Sequence, residues 1–312
     1  MIEVQNLNKT YGQKQVLTNV SFRAENGLVT GFVGPNGAGK STTMRMIAAL
    51  ENPDSGTALV DGKPFSKASI PISVMGCYLG SEYLPNHMTA EEYLKYVCKT
   101  GGIDNSVIPS LLNMVELAHA ADKPISSYSL GMRQRCGLAA AITGNPSTLM
   151  LDEPVNGLDP MGVQWLRGII RQQAEQGRAV LLSSHLLSEL ELVADNVVML
   201  DQGRVVRMGS MRDMSDKSGP MQVLMHTSND PKIANYLMKK GFQVTNSGEM
   251  MLITGIAPEK LANLAFKAKV QLFHLEQKHF SLEELFMSTA ASFEQAPTQM
   301  QSQQAQQLGN VR

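Results

Sequence analysis

The sequence predicts an α/β domain over residues 1–215, then a small α+β domain over residues 219–290 and a disordered tail over residues 292–312. Three observations support this division. Short β-branched runs alternate with helical patterns along the first two-thirds of the chain, which is typical of α/β folds. The next strands and helices follow the order β-α-β-β-α-β, which is that of a ferredoxin-like unit. From Ala296 the chain is rich in Gln and poor in apolar side chains, as disordered segments are.

Strands of the first domain are predicted from apolar and β-branched runs. Val4 and the run of residues 16–22 indicate an antiparallel sheet at the start of the chain. The segment of residues 80–132 is dominated by helical patterns, and we expect a mostly helical insertion there. Further strands, either buried or paired in a hairpin, are predicted at residues 28–33, 148–151, 179–183, 196–200 and 204–208.

The second domain is predicted to begin near Pro220. Ser281 is followed by Glu284 three residues later, which is the spacing of a capping box at a helix start. We therefore expect a closing helix after the last strand. The preceding strands are predicted at residues 221–226, 242–245, 250–254 and 270–275, and the helices between them at residues 231–240 and 258–269.

Composition narrows the classes of function. The formal net charge is −1, whereas a general nucleic-acid binder usually carries a clear basic excess, so we expect no nucleic-acid partner. Three cysteines are an odd number, and Cys77, Cys98 and Cys136 do not have the spacing of metal ligands. They suit a reducing compartment better than a disulfide scaffold.

We expect no membrane-spanning segment. The N-terminus has neither the basic start nor the apolar core of a signal peptide. No stretch supplies the ~20 apolar residues that a spanning helix needs. The uncharged run that comes nearest to this length is residues 136–151. It contains Gly144, Asn145 and Pro146, which predict a helix, a turn and a strand rather than one long helix. Any membrane role must therefore come through a partner.

A glycine-rich loop follows the predicted strand of residues 28–33. The glycines allow backbone N–H groups to point at a phosphate without a side chain in the way. Lys40 offers positive charge to the β- and γ-phosphates, and the Ser41 hydroxyl can ligate Mg²⁺. A helix beginning at Lys40 places its positive end at the anion. The loop, which predicts a nucleoside triphosphate site, matches the phosphate-binding pattern at every fixed position: Gly34-Pro35-Asn36-Gly37-Ala38-Gly39-Lys40-Ser41.

Two adjacent carboxylates end the apolar strand of residues 148–151. Asp152 is placed to hold Mg²⁺ through water, as the chemistry of the phosphate loop requires of a distant acid. Glu153 is predicted to point the other way, as alternate residues of a strand do. There it can orient the attacking water or accept its proton as a general base.

Ser129 and Gly131 carry a resemblance to a known family. They lie in Tyr128-Ser129-Leu130-Gly131-Met132-Arg133-Gln134-Arg135, which resembles the signature, usually Leu-Ser-Gly-Gly-Gln, of the ATP-binding cassette (ABC) ATPases. The resemblance covers residues 1 to about 210. A small hydroxyl residue and a glycine at a helix start form a second grip for a phosphate. In the family this signature closes over the phosphate loop of another subunit, which implies a homodimer or pseudo-dimer around two ATP molecules.

Other positions follow from the same resemblance. Tyr11 resembles the aromatic that stacks on adenine, and Val16 and Thr42 are assigned to the same nucleotide site. Gly157-Leu158-Asp159 resembles the loop that crosses the dimer next to the partner's site. His185 resembles the switch histidine that contacts the γ-phosphate. The family implies ATP and Mg²⁺ as cofactors, and a RecA-like core with an antiparallel β subdomain and a helical subdomain.

The chain departs from the family pattern at two places. A glutamine normally follows the strand near Met75, where it contacts Mg²⁺ and water and reports the nucleotide state to the membrane subunit. Gly80 occupies that place here, and Ser81 or Glu82 is left to take over the contact. In the signature, Leu130 and Met132 replace the commoner Gly and Gln.

The resemblance implies an ATPase that powers transport through integral membrane permease subunits. The form of the signature, one cassette per chain and the appended domain resemble bacterial exporters of antibiotics and antimicrobial peptides. The chain would then lie at the cytoplasmic face of the plasma (inner) membrane, held there by the permease.

Two alternatives stay open. One is a cassette ATPase that acts on ribosomes or DNA, but ribosome-acting members typically carry two cassettes. DNA-repair members have a long coiled coil, for which the chain between Lys40 and Asp152 has no room. The other is a module that binds ATP without hydrolysing it. Glu153 and His185 argue against that module and Gly80 argues weakly for it; an ATPase assay separates them.

Overall fold

The computed structural model describes residues 1–185, 187–216 and 221–278. The chain divides into two compact units, the first being residues 1–211 and the second beginning at Arg212. Strands of the first unit are β1 (Ile2–Tyr11), β2 (Lys14–Ala24), β3 (Val29–Val33), β4 (Ser55–Val60), β5 (Met75–Tyr78), β6 (Thr148–Leu151), β7 (Ala179–Ser184), β8 (Asn196–Asp201) and β9 (Arg204–Ser210). Its helices are α1 (Lys40–Ile47), α2 (Pro71–Val74), α3 (Ala90–Gly101), α4 (Ile108–Met114), α5 (Leu130–Ile142), α6 (Pro160–Glu175) and α7 (Leu187–Glu191). Helix α8 (Met211–Asp216) follows β9.

A six-stranded sheet forms the centre of the first unit. Its strand order is β5-β6-β7-β3-β8-β9, and all neighbours are parallel except β8 and β9. Every residue of β3, β6 and β7 is buried, which is expected of parallel strands covered on both faces. Because parallel strands end at the same edge, the loops that follow β3, β6 and β7 meet there.

A second, antiparallel sheet has the order β2-β1-β4. The antiparallel sheet expected at the start of the chain is therefore present, with strands longer than the sequence predicted. Its apolar face packs into the same core as the central sheet, and the rings of Phe22 and Phe32 stack with centroids 5.0 Å apart.

The expected helical insertion contains α3 and α4 and a core of its own. Helix α3 begins with a capping box, in which the Thr89 hydroxyl accepts from the Glu92 N–H and the Glu92 carboxylate accepts from the Thr89 N–H. The Tyr128 hydroxyl donates to the Ala120 carbonyl at 2.6 Å and joins this segment to the start of α5. In the parts of the chain that the structure covers, no helix is long and apolar enough to cross a bilayer.

The second unit has a ferredoxin-like topology. Its elements are β10 (Gln222–Thr227), α9 (Asp230–Lys239), β11 (Gln243–Ser247), β12 (Met250–Thr254), α10 (Pro258–Lys267) and β13 (Leu272–Lys278). The sheet is antiparallel throughout, in the order β11-β12-β10-β13. This is the predicted β-α-β-β-α-β order, which confirms the fold class. The closing helix expected at Ser281 and the tail of residues 292–312 lie outside the described residues.

Candidate active site

The phosphate loop connects β3 to α1, and two of its glycines are required by their surroundings. Gly34 has φ +159, and a Cβ there would fall 2.1 Å from the Leu200 carbonyl oxygen. Gly39 precedes the first residue of α1 and has φ +107, a conformation that L side chains rarely adopt. A Cβ on Gly39 would fall 2.4 Å from Cδ2 of Leu17 and 3.3 Å from the Val16 carbonyl oxygen. The Val16 carbonyl thus lies against the end of the loop.

Lys40, the first residue of α1, is buried with only 6% of its side chain exposed. Its Nζ donates to the Gly34 carbonyl at 2.7 Å and to the Pro35 carbonyl at 3.4 Å. It also lies 3.5 Å from Oε1 of Glu153. The loop therefore positions one ammonium group at the helix N-terminus, where a phosphate is favoured by both charge and backbone N–H groups.

Asp152 is buried at the end of β6. Its backbone N–H donates to the Tyr78 carbonyl at 2.7 Å, and its Oδ1 accepts from the Ser183 hydroxyl at 2.5 Å. The same Ser183 oxygen accepts from the Glu153 N–H at 2.8 Å. Ser183 thus fixes both acidic residues. No sequence motif marks Ser183, although its hydroxyl interrupts the apolar run of residues 179–183 two positions before His185, which is a usable signal.

Glu153 does not continue the strand, so the strand alternation from which its direction was predicted does not apply to it. Strand β6 ends at Leu151, and Glu153 has φ +48, in the left-handed region. This backbone turn directs its carboxylate to His185, whose Nδ1 lies 2.8 Å from Oε2 and whose backbone N–H donates to the same oxygen at 3.3 Å. The structure therefore gathers Lys40, Glu153 and His185 in direct contact.

Tyr11 lies at the end of β1, half exposed. Its hydroxyl donates to the Glu51 carboxylate and also interacts with Thr42 on α1. Nζ of Lys9 pairs with Glu51 at 3.3 Å and lies 5.4 Å from the centroid of the Tyr11 ring. Tyr11 and Thr42, both expected at the nucleotide site, are thus joined beside the first turn of α1.

Ser129 caps the N-terminus of α5, where its hydroxyl accepts from the Met132 N–H at 3.2 Å. Gly131 faces the loop of residues 157–159, because a Cβ there would lie 3.4 Å from Cδ2 of Leu158. Asp159 caps α6 by accepting from the Gly162 N–H at 2.8 Å. The signature segment and this loop thus meet through Gly131 and Leu158.

The carboxylate of Glu82 lies in the space that a side chain on Gly80 would occupy. Gly80 has φ +139 and ψ +151, and a Cβ on it would fall 2.3 Å from Oε2 of Glu82. The carboxylate of Glu82 is thus folded over the residue that stands where the family has glutamine. Burial, followed by the charge of Glu82, raises the pKa of Tyr78 to about 12, with a smaller raising effect of Asp152. The Tyr78 carbonyl, which accepts from the Asp152 N–H, joins the end of β5 to the acidic end of β6.

The residues proposed for Mg²⁺ suit that ion chemically. Ser41 supplies a hydroxyl and Asp152 a carboxylate, and Mg²⁺ prefers oxygen ligands while keeping several positions for water and phosphate. Within the described part of the chain, no cluster of three or more His, Cys, Asp or Glu side chains could hold a metal by itself. A metal bound here would therefore need ligands from the nucleotide as well.

Comparisons with known proteins point to one family. Residues 17–156 match the family model described as ABC transporter. The chain is 36% identical to an uncharacterized ABC transporter ATP-binding protein of Bacillus subtilis, YcbN, over 92% of this chain and 96% of the relative. It is 37% identical to the lantibiotic transport ATP-binding protein SrtF of Streptococcus pyogenes, over 66% of this chain and 89% of that one. It is 30% identical to the bacitracin transport ATP-binding protein BcrA of Bacillus licheniformis, over 92% of this chain and 96% of that one.

Solved structures show the same fold. An ATP-binding subunit of an ABC transporter superposes with a TM-score of 0.62 and 28% identity, covering 70% of this chain and 92% of that one. A second cassette, solved as a dimer in a post-hydrolysis state with ADP and phosphate, has a TM-score of 0.63. It is 23% identical and covers 68% of this chain and 99% of its own, so the likeness is one of fold.

Proposed function

The chain belongs to the ABC transporter family, and on that premise we propose that two copies of it drive a separate membrane permease. It is an ATP-binding subunit of that family and an ATPase. The observation that supports a hydrolytic site best is the contact of Glu153 with both Lys40 and His185 at one edge of the central sheet. A module that only binds ATP would not need a carboxylate held in that place.

In the proposed bound state, the backbone N–H groups of residues 34–41 and the Lys40 ammonium hold the phosphates. Lys40 would exchange its contacts with the Gly34 and Pro35 carbonyls for phosphate oxygens. Tyr11 and Val16 would contact the base. Ser41 and Asp152 would hold Mg²⁺, which would supply neutralising charge to the β- and γ-phosphates. The buried hydrogen bond from Ser183 would keep Asp152 in position for this role.

Hydrolysis would proceed by attack of water on the γ-phosphorus. Glu153 would orient that water and accept its proton, the bond from the γ-phosphorus to the bridging oxygen would break, and ADP and phosphate would leave. His185, which already contacts the Glu153 carboxylate, would also contact the γ-phosphate. The side chain of Glu153 is 21% exposed, so water can reach its carboxylate.

Pairing of two chains would complete the site. Ser129 and Gly131 lie at the N-terminus of α5, where free N–H groups and the helix dipole favour an anion. Within the chain, Ser129 caps its own helix and Gly131 faces the loop of residues 157–159. We therefore assign them to the γ-phosphate held by a second copy, with Asp159 beside the same interface. Two cassettes of the same fold were solved as dimers, which supports pairing in general.

The cargo is proposed from the relatives. Two of them are named for the transport of a lantibiotic and of bacitracin. We infer that this chain powers export of a drug, antibiotic or peptide through its permease. It would then lie at the cytoplasmic face of the plasma membrane, attached through that partner.

The pairing can be tested with a hydrolysis-deficient background. The E153Q protein should elute as a dimer in size-exclusion chromatography with ATP and as a monomer without it. Adding S129R should abolish the ATP-dependent dimer, because a bulky cation would occupy the phosphate grip. Adding S110R instead, at an exposed serine on α4, is the matched control and should leave the dimer intact. An S129R protein that still dimerises with ATP would contradict the proposed interface.

A further inference from the structure

The second unit contains a groove that the ATPase function does not use. It has a volume of about 610 Å³ and lies between α10 and the connection from α9 to β11. Its floor is apolar and its rim is basic: Phe242, Ile256 and Leu264 form the floor, and Lys240, Lys260 and Lys267 the rim. We call this the lysine groove. Small-molecule sites in proteins have volumes of about 300 to 1,000 Å³, so its size suits one bound molecule.

Helical spacing creates the arrangement. Lys260, Leu264 and Lys267 follow one another at intervals of four and three residues, which places them on one face of α10. Ile256, four residues before Lys260, precedes the helix on the same side. Lys240 is the C-cap of α9, across the groove. Two separate elements therefore bring three lysine residues to the lining of one groove.

Charge in the lysine groove is uncompensated within the residues that the structure describes. No acidic side chain lines it, and no ion pair is formed there by any of its three lysines. Nζ of Lys240 lies 5.4 Å from the centroid of the Tyr236 ring, a contact that leaves its charge available. Other lysines of the chain, such as Lys9 and Lys95, do pair with acids. A concave surface lined by charges of one sign concentrates ions of the opposite charge.

We propose that the lysine groove binds an anionic amphiphile, a small molecule with an apolar body and a carboxylate or phosphate head group. The apolar body would cover Phe242, Ile256 and Leu264, removing their remaining exposed surface from water. The head group would reach the lysines at the rim. A fully hydrophilic anion would leave the apolar floor exposed to water. A neutral apolar molecule would leave the positive charges of three lysines unneutralised. The combination of floor and rim therefore selects the amphiphile.

The experiment uses the full chain and dodecyl phosphate, titrated calorimetrically below its critical micelle concentration. Wild-type protein should bind one equivalent, and the affinity should fall as salt is raised, because exposed charges are screened. Glycerol phosphate and dodecyltrimethylammonium should bind at least tenfold more weakly, since the first lacks the apolar body and the second has the wrong charge. Equal binding of dodecyltrimethylammonium would overturn the proposal.

Matched lysine variants separate the groove from the general surface. K240Q/K260Q/K267Q should lose about tenfold or more in affinity for dodecyl phosphate, since each exposed ion pair contributes a factor of roughly 1.5 to 5. The control K232Q/K239Q/K269Q changes three exposed lysines of the same unit that do not line the groove, and should stay within twofold of wild type. Both variants should keep the wild-type circular dichroism spectrum and thermal unfolding profile, which shows that the second unit is folded, and wild-type ATPase activity, which shows that the first unit is intact.

Two further results would overturn the proposal. One is an equal loss of affinity in the groove variant and the control variant, which would indicate general electrostatic attraction. The other is binding to phosphatidylglycerol vesicles, with phosphatidylcholine vesicles as the blank, but none to monomeric dodecyl phosphate. That outcome would make the surface a membrane contact rather than a site for one small molecule.

Discussion

Glu153 and His185 follow neighbouring parallel strands, and their side chains meet, with Nδ1 of His185 2.8 Å from Oε2 of Glu153. The other carboxylate oxygen of Glu153 lies 3.5 Å from Nζ of Lys40. The carboxylate is therefore held between an imidazole and the ammonium of the phosphate loop. This relationship depends on the left-handed backbone at Glu153, which turns the side chain out of the strand direction.

Glu153→Gln should nearly stop turnover while leaving ATP binding in place. The amide keeps the size of the carboxylate but cannot accept the proton of the attacking water, and general bases contribute roughly 10² to 10⁴ in rate. The measurement is steady-state ATPase activity together with equilibrium ATP binding. Glu175→Gln, at an exposed position near the end of α6, is the control and should be unaffected. Wild-type turnover in E153Q would remove Glu153 from the role of base.

Lys40→Ala should weaken ATP binding roughly 10- to 100-fold, because a hydrogen bond to a charged group contributes about 1.5 to 3 kcal/mol. Affinity is measured by equilibrium binding of a fluorescent ATP analogue, with thermal unfolding as the check that the protein remains folded. The exposed Lys63 provides the control substitution, K63A. An unchanged affinity in folded K40A would contradict the assignment of the phosphate loop.

Ser183→Ala should affect both stability and turnover. The hydroxyl donates to Asp152 and accepts from the Glu153 N–H, so its loss leaves two buried partners unsatisfied. We expect a loss of about 1 to 3 kcal/mol in the free energy of unfolding. We also expect kcat to fall about tenfold or more with little change in KM, because both acids lose their alignment. S183T, which keeps the hydroxyl, should recover most of kcat; a variant that loses only stability would show that Ser183 does not align the acids.

The local parts of the fold and site were predictable from sequence. The phosphate loop, the apolar strand before Asp152 and the order of elements in the second unit all depend on residues close together in the chain. The structure added what depends on contacts across the sheet. Ser183 joins two residues about thirty positions away. The direction of Glu153 depends on a backbone angle that no composition rule assigns to glutamate.

At Gly80, too, the sequence indicated the unusual residue but not the side-chain contact that it makes possible. The sequence identified Gly80 as a departure from the family pattern and left Ser81 and Glu82 as possible replacements for the missing glutamine. It did not predict that the Glu82 carboxylate folds against the Gly80 Cα, in space that a side chain would occupy. The missing side chain at Gly80 thus leaves free the space that the carboxylate of Glu82, two positions later, occupies.

Gly80→Ala should destabilise the protein for two separable reasons. At φ +139 and ψ +151 the backbone is in a region that is essentially confined to glycine, and forcing another residue there costs roughly 1 to 3 kcal/mol. In addition, the new Cβ would fall 2.3 Å from Oε2 of Glu82, so that carboxylate must move. Urea unfolding of G80A should therefore show a lower midpoint than wild type at an unchanged slope.

The E82A background separates the two contributions. In it the clash is absent, so the additional cost of Gly80→Ala should be that of the backbone alone and smaller than in wild type. Gly12→Ala is the matched control, because Gly12 also has positive φ, +59, but a Cβ there would meet nothing within 4 Å. If Gly80→Ala costs the same with and without Glu82, the two residues are independent. In that case Glu82 is not held in place by the missing side chain, and its position beside Tyr78 needs another cause.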